Sequence, residues 1–402
     1  MAAARLLTIN TGSSSLKAGV YHFEPSARLE LAAEVDRIGL PGSRLRVTDA
    51  RGTDLLDQRD NLPTHAAAVQ ALFAWLHGQG GVQALDAIGH RVVHGGKEHR
   101  EPQLITDALV AALRQALPFE PDHLPQALKA IETARQTYPG IPQVACFDTA
   151  FHLNMPSVAR AYALPRSLGR AGVVRYGFHG LSYESIMHQL RDQDAVAAAG
   201  RVIIAHLGNG ASMAAVRDGV SVDTTMGFSP TGGLVMSTRS GDLDPGVMLY
   251  LLRSRGLSTA ALSDLVNKEA GLLGVSGISA DMKDLLAKEA TDQHAAEAVE
   301  LFCYQARKHL GALAAVLGGL DTLIFTAGIG EHAPSVRERI CAGLEFLGIE
   351  LDPRRNAADA PIVSRDGAPA VVRVMKTDED LMIARHTHRL LASHGGESHV
   401  SL

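Results

Sequence analysis

LTINTGSSSLKAGV at residues 7–20 and IIAHLGNGASMAAV at residues 203–216 follow one plan: an apolar run, a glycine turn, a second apolar run. Short apolar runs bounded by small turn residues read as buried strands. The first unit is therefore a strand at 6–10, a turn at 11–15 and a strand at 16–23, and the second a strand at 201–207, a glycine turn and a strand at 212–216. Superimposing Gly12 on Gly208 also brings Ser14 onto Gly210, Ala18 onto Ala214 and Val20 onto Val216. An offset of nearly half the chain points to duplicated domains, each offering a hairpin turn to a shared cleft.

Around these hairpins, strand patterns at 87–93, 144–147, 323–326 and 371–374 alternate with helical ones. The helices are expected at 64–79, 103–116, 125–137, 245–255, 258–268, 292–317, from about 334, and at 378–393. Such alternation means α/β layers, and 402 residues are too many for one ordinary core. The composition is globular, with 46% apolar and 20% charged residues. A net charge of -5 leaves no basic excess for a phosphate backbone, which excludes nucleic acid as the main partner. The apolar stretch near the amino terminus is too short for a signal peptide, and no eighteen apolar residues run together, so neither export nor a membrane partner is expected. Cys146, Cys303 and Cys341 are odd in number, far apart and without a C-x-x-C pair; that composition suits the reducing cytoplasm.

Three glycine segments could cradle phosphate: Thr11–Ser15 with Lys17 two residues on, His206-Leu207-Gly208-Asn209-Gly210, and Ala327-Gly328-Ile329-Gly330-Glu331 between a strand and a helix. Each also reads as a plain turn. Small residues let backbone N–H groups approach phosphate oxygens, and a helix start favours anions. No G-x-x-x-x-G-K-[ST] occurs, since Gly96-Lys97 is followed by Glu98, and no G-x-G-x-x-G opens the first unit. Glycine turns in two lobes without either motif favour a nucleotide clamp of the actin/hexokinase type. Arg91 in GHRVVHGG and Arg239 in STRSGDLDP are hemmed by glycines, and two such forks could hold a carboxylate and a transferring phosphoryl group. His179 sits in RYGFHGLS, and Asp148 follows a buried strand; a hydrogen-bonded core histidine and a helix cap are the plain alternatives. Asp378-Glu379-Asp380 opens the last helix, where negative charge also complements the dipole. His90, His94 and His99 lack the spacing of a zinc site.

Taken together, LLTINTGSSSLK (6–17), GHRVVHGG (89–96), FDTAFH (147–152), RYGFHG (175–180), VIIAHLGNGASMAAVRDG (202–219), TTMGF (224–228), TRSGDLDP (238–245), DMKD (281–284), GIGE (328–331) and TDED (377–380) resemble the acetate kinase family, in its order and spacing and over essentially the whole chain. The resemblance implies a duplicated actin/hexokinase-like (ribonuclease H-like) α/β fold with an interdomain nucleotide cleft, residues 1–147 plus 377–402 forming one domain and 148–376 the nucleotide-binding other. It implies reversible phosphoryl transfer from ATP to acetate, giving acetyl phosphate and ADP, with propionate or another short-chain fatty acid as the alternative substrate, in a cytoplasmic homodimer. By the same resemblance Asn10 and Glu379 bind Mg²⁺ (or Mn²⁺), and Lys17 contacts the ATP phosphates. His206, Leu207, Gly208, Asn209, Gly210, Asp281, Met282, Lys283, Gly328, Ile329, Gly330, Glu331 and His332 line the nucleotide site. Arg91 holds the substrate carboxylate; Val93, Phe178 and Pro230 form the pocket for its alkyl end; Asp148, His179 and Arg239 are catalytic. The chain departs from the family pattern at Leu117-Pro118-Phe119-Glu120-Pro121-Asp122, at Leu181-Ser182-Tyr183, at Lys283 and at His332; the first of these borders the acyl pocket.

A carboxylate nucleophile with a pKa near 4–5 is already ionised at neutral pH and needs no general base. Asp148 is therefore expected to orient Mg²⁺, water or an arginine rather than to take a proton. Two other functions compete. A serine hydrolase built on Ser13–Ser15, His179 and Asp148 lacks a G-x-S-x-G elbow, and a non-catalytic nucleotide switch has no use for Arg91 and Arg239.

Overall fold

The apolar run that opens the chain forms β1, Ala4–Thr11, buried along nearly its whole length, as befits a strand covered on both faces. β2, Leu16–Phe23, returns antiparallel to it. The meander continues through β3, Ala27–Asp36, β4, Ser43–Asp49, and β5, Asp54–Asp60. On the other side of β1 lie β6, Ala87–Val92, and β8, Gln143–Phe147, both parallel to it, with β7, Gln103–Leu104, on the edge. Among the described residues the order is β5-β4-β3-β2-β1-β6-β8-β7. Helices His65–Gly78 and Leu124–Thr137 cover one face, packing Val69, Leu72, Phe73 and Ala134 on Leu7, Ile9, Val20 and Ile88. Helix Glu379–Gly395 covers the other face. It lies so close to β6 that a Cβ on Gly89 would stand 2.3 Å from Thr387 Oγ1, so glycine is required there.

β9, Arg201–Leu207, β10, Ala211–Arg217, and β11, Val220–Thr224, repeat the antiparallel meander. β12, Thr322–Thr326, and β13, Val371–Val374, add the parallel pair. The order β11-β10-β9-β12-β13 matches β3-β2-β1-β6-β8 strand for strand and direction for direction. This is the duplicated α/β architecture of the actin/hexokinase type. Thr11 pairs with Leu16 across the first turn, but Leu207 pairs with Ala211 across the second, so the second turn is one residue shorter. The ladder therefore matches Ala18 with Met213 rather than Ala214, because a one-residue slip would put the side chain on the opposite face.

The computed structural model describes residues 3–12, 15–78, 82 and 84–395. Ser13 and Ser14 lie outside the described residues, and with them two of the four hydroxyls of the first glycine turn. The chain falls into two compact units, residues 1–150 with 378–402, and 151–377. Asp148 thus belongs to the first unit, whereas the sequence reading divides the chain just before it. The helix expected at 103–116 starts later, at Asp107, because residues 103–104 form strand β7. The helix expected from about 334 is found at Pro334–Cys341, but the glycine turn ahead of it, Gly328–Gly330, lies inside a further short helix, Ala327–His332.

Candidate active site

In the first unit, the carboxyl ends of adjacent parallel strands carry Asn10 on β1, Arg91 on β6 and Asp148 just after β8. In open α/β sheets this is where ligands bind. The register pairs Ile9 with His90 and Val92 with Phe147, which brings the three side chains to one level. Arg91 Nε and Nη2 donate to Asp148 Oδ1 and Oδ2 at 3.0 and 2.5 Å, and Nη1 donates to Asn10 Oδ1 at 3.1 Å. Asn10 Nδ2 in turn donates to Glu379 Oε2 at 2.9 Å. Burial opposes the charge on Arg91, but the carboxylates of Asp148 and Glu379 outweigh it and hold the proton more firmly than usual. Asp148, buried to 1% exposure, is thus the group that orients the Arg91 fork. Lys17 on β2 is half exposed, 3.7 Å from Glu34 Oε1. His65 Nε2 bonds Gly12 O at 2.8 Å and anchors the turn after β1; no motif in the sequence singles it out.

The acidic start of the closing helix divides its labour. Asp378 Oδ1 accepts from Leu381 N at 2.9 Å as a cap. Burial, with Glu379 and Asp378 beside it, pushes the Asp380 carboxyl up to about 7, and its Oδ1 is buried without a hydrogen-bond partner among the described residues. Crowded hard oxygens with an orphaned atom fit a small divalent cation that takes its remaining ligands from water and substrate phosphates. Glu379 and Asp380 are the donors at hand; the Asn10 amide oxygen already accepts from Arg91.

The second unit holds the imidazoles. His179 has φ +58° and starts helix Gly180–Gln193. Its ring stacks on that of His206, with centroids 4.1 Å apart. His179 Nδ1 bonds Ser212 Oγ at 2.8 Å, His206 Nδ1 bonds Ser182 Oγ at 2.8 Å, and the Tyr183 hydroxyl also bonds Ser212 Oγ. A Cβ on Gly210 would stand 3.1 Å from His179 Nε2 and 3.5 Å from Arg239 Nη1, so both donors reach the same glycine turn. Arg239 Nη1 also donates to Pro230 O at 3.3 Å. Phe178 and Pro230 are buried in this unit, whereas Val93 is buried in the first.

Gly208 of that turn approaches Ala327, whose Cβ would lie 3.6 Å from a Cβ on the glycine, and Asn209 O accepts from Ser237 N at 3.1 Å. Helix Ala327–His332 is braced at both ends. Glu331 Oε1 reaches back to Ala327 N at 2.9 Å. Arg337, fully buried, donates Nη1 to the carbonyls of Gly330 and Glu331, both at 2.9 Å. Asn356 and Asp359 hold the rest of its guanidinium. His332 is exposed. Asp281 caps helix Met282–Lys288 through Lys283 N at 2.8 Å, and no described hydrogen bond or ion pair joins it to the segments 206–210 and 328–332, which were expected to line the same nucleotide. Arg337 escaped sequence reasoning because no motif marks it. Ser212 was seen only as part of the segment 202–219 and Tyr183 only as a departure from the family pattern, because their hydrogen bonds join residues far apart in the chain.

Two sheets of one topology, with a charged fork at the strand ends of one and a glycine turn beside stacked imidazoles in the other, define a phosphotransferase of the duplicated actin/hexokinase-like class. A profile of the Acetokinase family matches residues 5–385. The chain is 47% identical over 395 residues to the acetate kinase of Rhodopseudomonas palustris and 43% identical over 396 residues to that of Methylocella silvestris, in each case over 96% of this chain and 98% of the relative. The crystal structure of Porphyromonas gingivalis acetate kinase superimposes with a TM-score of 0.85 at 36% identity, covering 96% of this chain and all of that one. A propionate kinase from Francisella tularensis gives 0.89 at 32% identity, with the same coverage. The chain belongs to the acetokinase family.

Proposed function

We infer that this protein is a carboxylate kinase that transfers the γ-phosphoryl group of ATP, reversibly and in line, to acetate, giving acetyl phosphate and ADP. The observation that carries this reading is the Glu379–Asn10–Arg91–Asp148 chain of hydrogen bonds at the strand ends, in a member of a family whose relatives are named for this activity. Acetate is already an anion, so the task is to bring it to a polyanion. Arg91, kept charged and aimed by Asp148, receives the carboxylate through the donor capacity left on its terminal nitrogens. Arg239 and His179 offer donors to the phosphoryl oxygens as charge spreads over them. Lys17 and the segments 206–210, 281–283 and 328–332 hold the nucleotide. Mg²⁺, or Mn²⁺, held by Glu379 with Asn10 and Asp380 beside it, would neutralise phosphate charge. A hydroxamate assay with formate, acetate, propionate and butyrate tests the reading: acetate-dependent, ATP-dependent product is expected, and its absence rejects the assignment.

Acetate should show the highest kcat/KM and propionate the next, since one methylene discriminates by only about 1–3 kcal/mol. The alternative, a propionate or short-chain fatty acid kinase, draws on the altered segment 117–122, where Phe119 packs against His94 with ring centroids 5.4 Å apart. A higher kcat/KM for propionate would establish it. The working form is a homodimer: helix Pro245–Ser254 has no buried residue and exposes Val247, Met248, Leu249 and Tyr250, an apolar face of the sort that marks an interface. Sedimentation should find a dimer that Leu249→Lys dissociates. Cys146, Cys303 and Cys341 are all buried and far apart in the sequence, in keeping with a cytoplasmic enzyme.

A further inference from the structure

The first turn of helix Gly180–Gln193 holds two imidazoles by two neighbouring hydroxyls. Ser182 bonds His206 directly, and Tyr183 reaches His179 through Ser212. Tyr183 and Ser212 are fully buried, and the tyrosine ring is wedged against Phe151 and His152. Ser212 stands opposite His206 in the β9–β10 ladder, so the strand fixes where its hydroxyl can be. One hydroxyl proton and two partners leave few arrangements. A phenol is a stronger acid than an alcohol, so Tyr183 donates to Ser212 Oγ and Ser212 donates to His179 Nδ1. The remaining imidazole proton then lies on Nε2, the atom beside the Gly210 turn and Arg239. The opposite arrangement would aim a lone pair at an anion.

We propose that Tyr183 and Ser212 are positioning residues: a buried hydroxyl relay that sets the tautomer and orientation of His179, so that its Nε2–H is presented to the transferring phosphoryl group without protonation of the ring. The relay rests on the carboxylate kinase reading for its catalytic consequence, but not for its geometry. The contacts place His206, Tyr183 and Arg239 around the ring. A neutral ring held in this tautomer already carries its donor proton on Nε2 and need not be protonated to offer it.

The test uses Tyr183→Phe, which keeps the ring and its packing, and Ser212→Ala as an independent break in the chain. In histidine-¹⁵N-labelled protein, with the signal assigned by its loss in His179→Gln, wild type should show Nδ1 bare and Nε2 protonated, and Tyr183→Phe a mixture of tautomers. Steady-state kinetics should show kcat down about tenfold, a fraction of the 10²–10³ that loss of a direct donor costs, with the KM for acetate and for ATP within about twofold. Because the two hydroxyls act as one chain, the double variant should lose no more than Ser212→Ala alone, and Tyr183→Phe should cost nothing further in a His179→Gln background. A wild-type ring protonated on Nδ1, an unchanged tautomer or rate in Tyr183→Phe, or additive losses in the double variant each overturn the relay. If wild type shows no acetate-dependent turnover, the kinase reading falls instead, and the ¹⁵N spectra decide the relay alone.

Discussion

Arg91 and Arg239 are both glycine-flanked in sequence, yet their surroundings separate them. Arg91 has Nε and Nη2 tied to Asp148 and Nη1 tied to Asn10, which makes it a rigid, permanently charged fork, suited to the proposed role of receiving a ground-state carboxylate. Arg239 lies beside the Gly210 turn with His179, where the moving phosphoryl charge would be met. Arg239→Ala should lower kcat by about 10³ or more with a modest change in acetate KM, the usual consequence of removing a phosphoryl-transfer arginine. Arg91→Ala should raise acetate KM strongly, with some loss of kcat through misalignment. Full kinetics on both variants check this, and near-normal kcat in Arg239→Ala would remove that residue from the transition state. Glu379 is held by Asn10 at 2.9 Å beside the orphaned Asp380 oxygen. Glu379→Ala should therefore raise the Mg²⁺ concentration needed for half-maximal rate steeply; an unchanged Mg²⁺ titration would reduce Glu379 to a helix-end charge.

At the scale of elements, helix Ala327–His332 owes its shape to Arg337 rather than to its own sequence. Six residues with two glycines are too few to hold a helix by propensity, and Ala327 takes a φ of +65°. The two carbonyls at its end are satisfied by a fully buried guanidinium that also ties Asn356 and Asp359. Removing that hub leaves several buried groups unpaired at about 1–3 kcal/mol each. Arg337→Met should therefore destabilise the protein by about 3 kcal/mol or more in urea titrations. It should also weaken ATP binding in calorimetry while leaving acetate KM unchanged. Wild-type ATP affinity in a folded Arg337→Met protein would show that the 327–332 helix does not depend on its brace.

At the scale of the whole molecule, two buried histidines of the first unit weaken the fold in acid. Together they outweigh Asp380, whose raised carboxyl takes up a proton in the folded state first and so works the other way. Burial pushes the imidazoles of His90 and His94 down to about 4. Above the unfolded value near 6.5 both states are neutral, and stability is full. As pH falls from about 6.5 toward 4 the unfolded chain takes up protons that the folded one refuses, so each histidine removes up to about 1.4 kcal/mol per pH unit. Urea titrations at steps between pH 7 and 4 should show stability falling with pH, and His94→Asn should flatten the slope; an equal slope in that variant would place the acid sensitivity elsewhere.

The α/β class, the two glycine hairpins and the strands at 201–207 and 371–374 were legible in the sequence, because strands buried on both faces read as unbroken apolar runs between glycines. Strands β3 to β5 were not. β5 is almost wholly exposed and polar, and its pairing rests on neighbours such as Arg44–Asp57 rather than on a hydrophobic period. The candidate site was legible where a motif carries it: Arg91, Asp148, His179, Arg239 and the glycine turns. What only the tertiary structure decided is which side chains support them. Asp148 meets Arg91 because β6 and β8 are adjacent and parallel, and Tyr183 meets His179 only by way of a serine on another strand. Local sequence determines backbone conformation and burial, but a hydrogen bond between residues far apart in the chain exists only once the sheet has set their register.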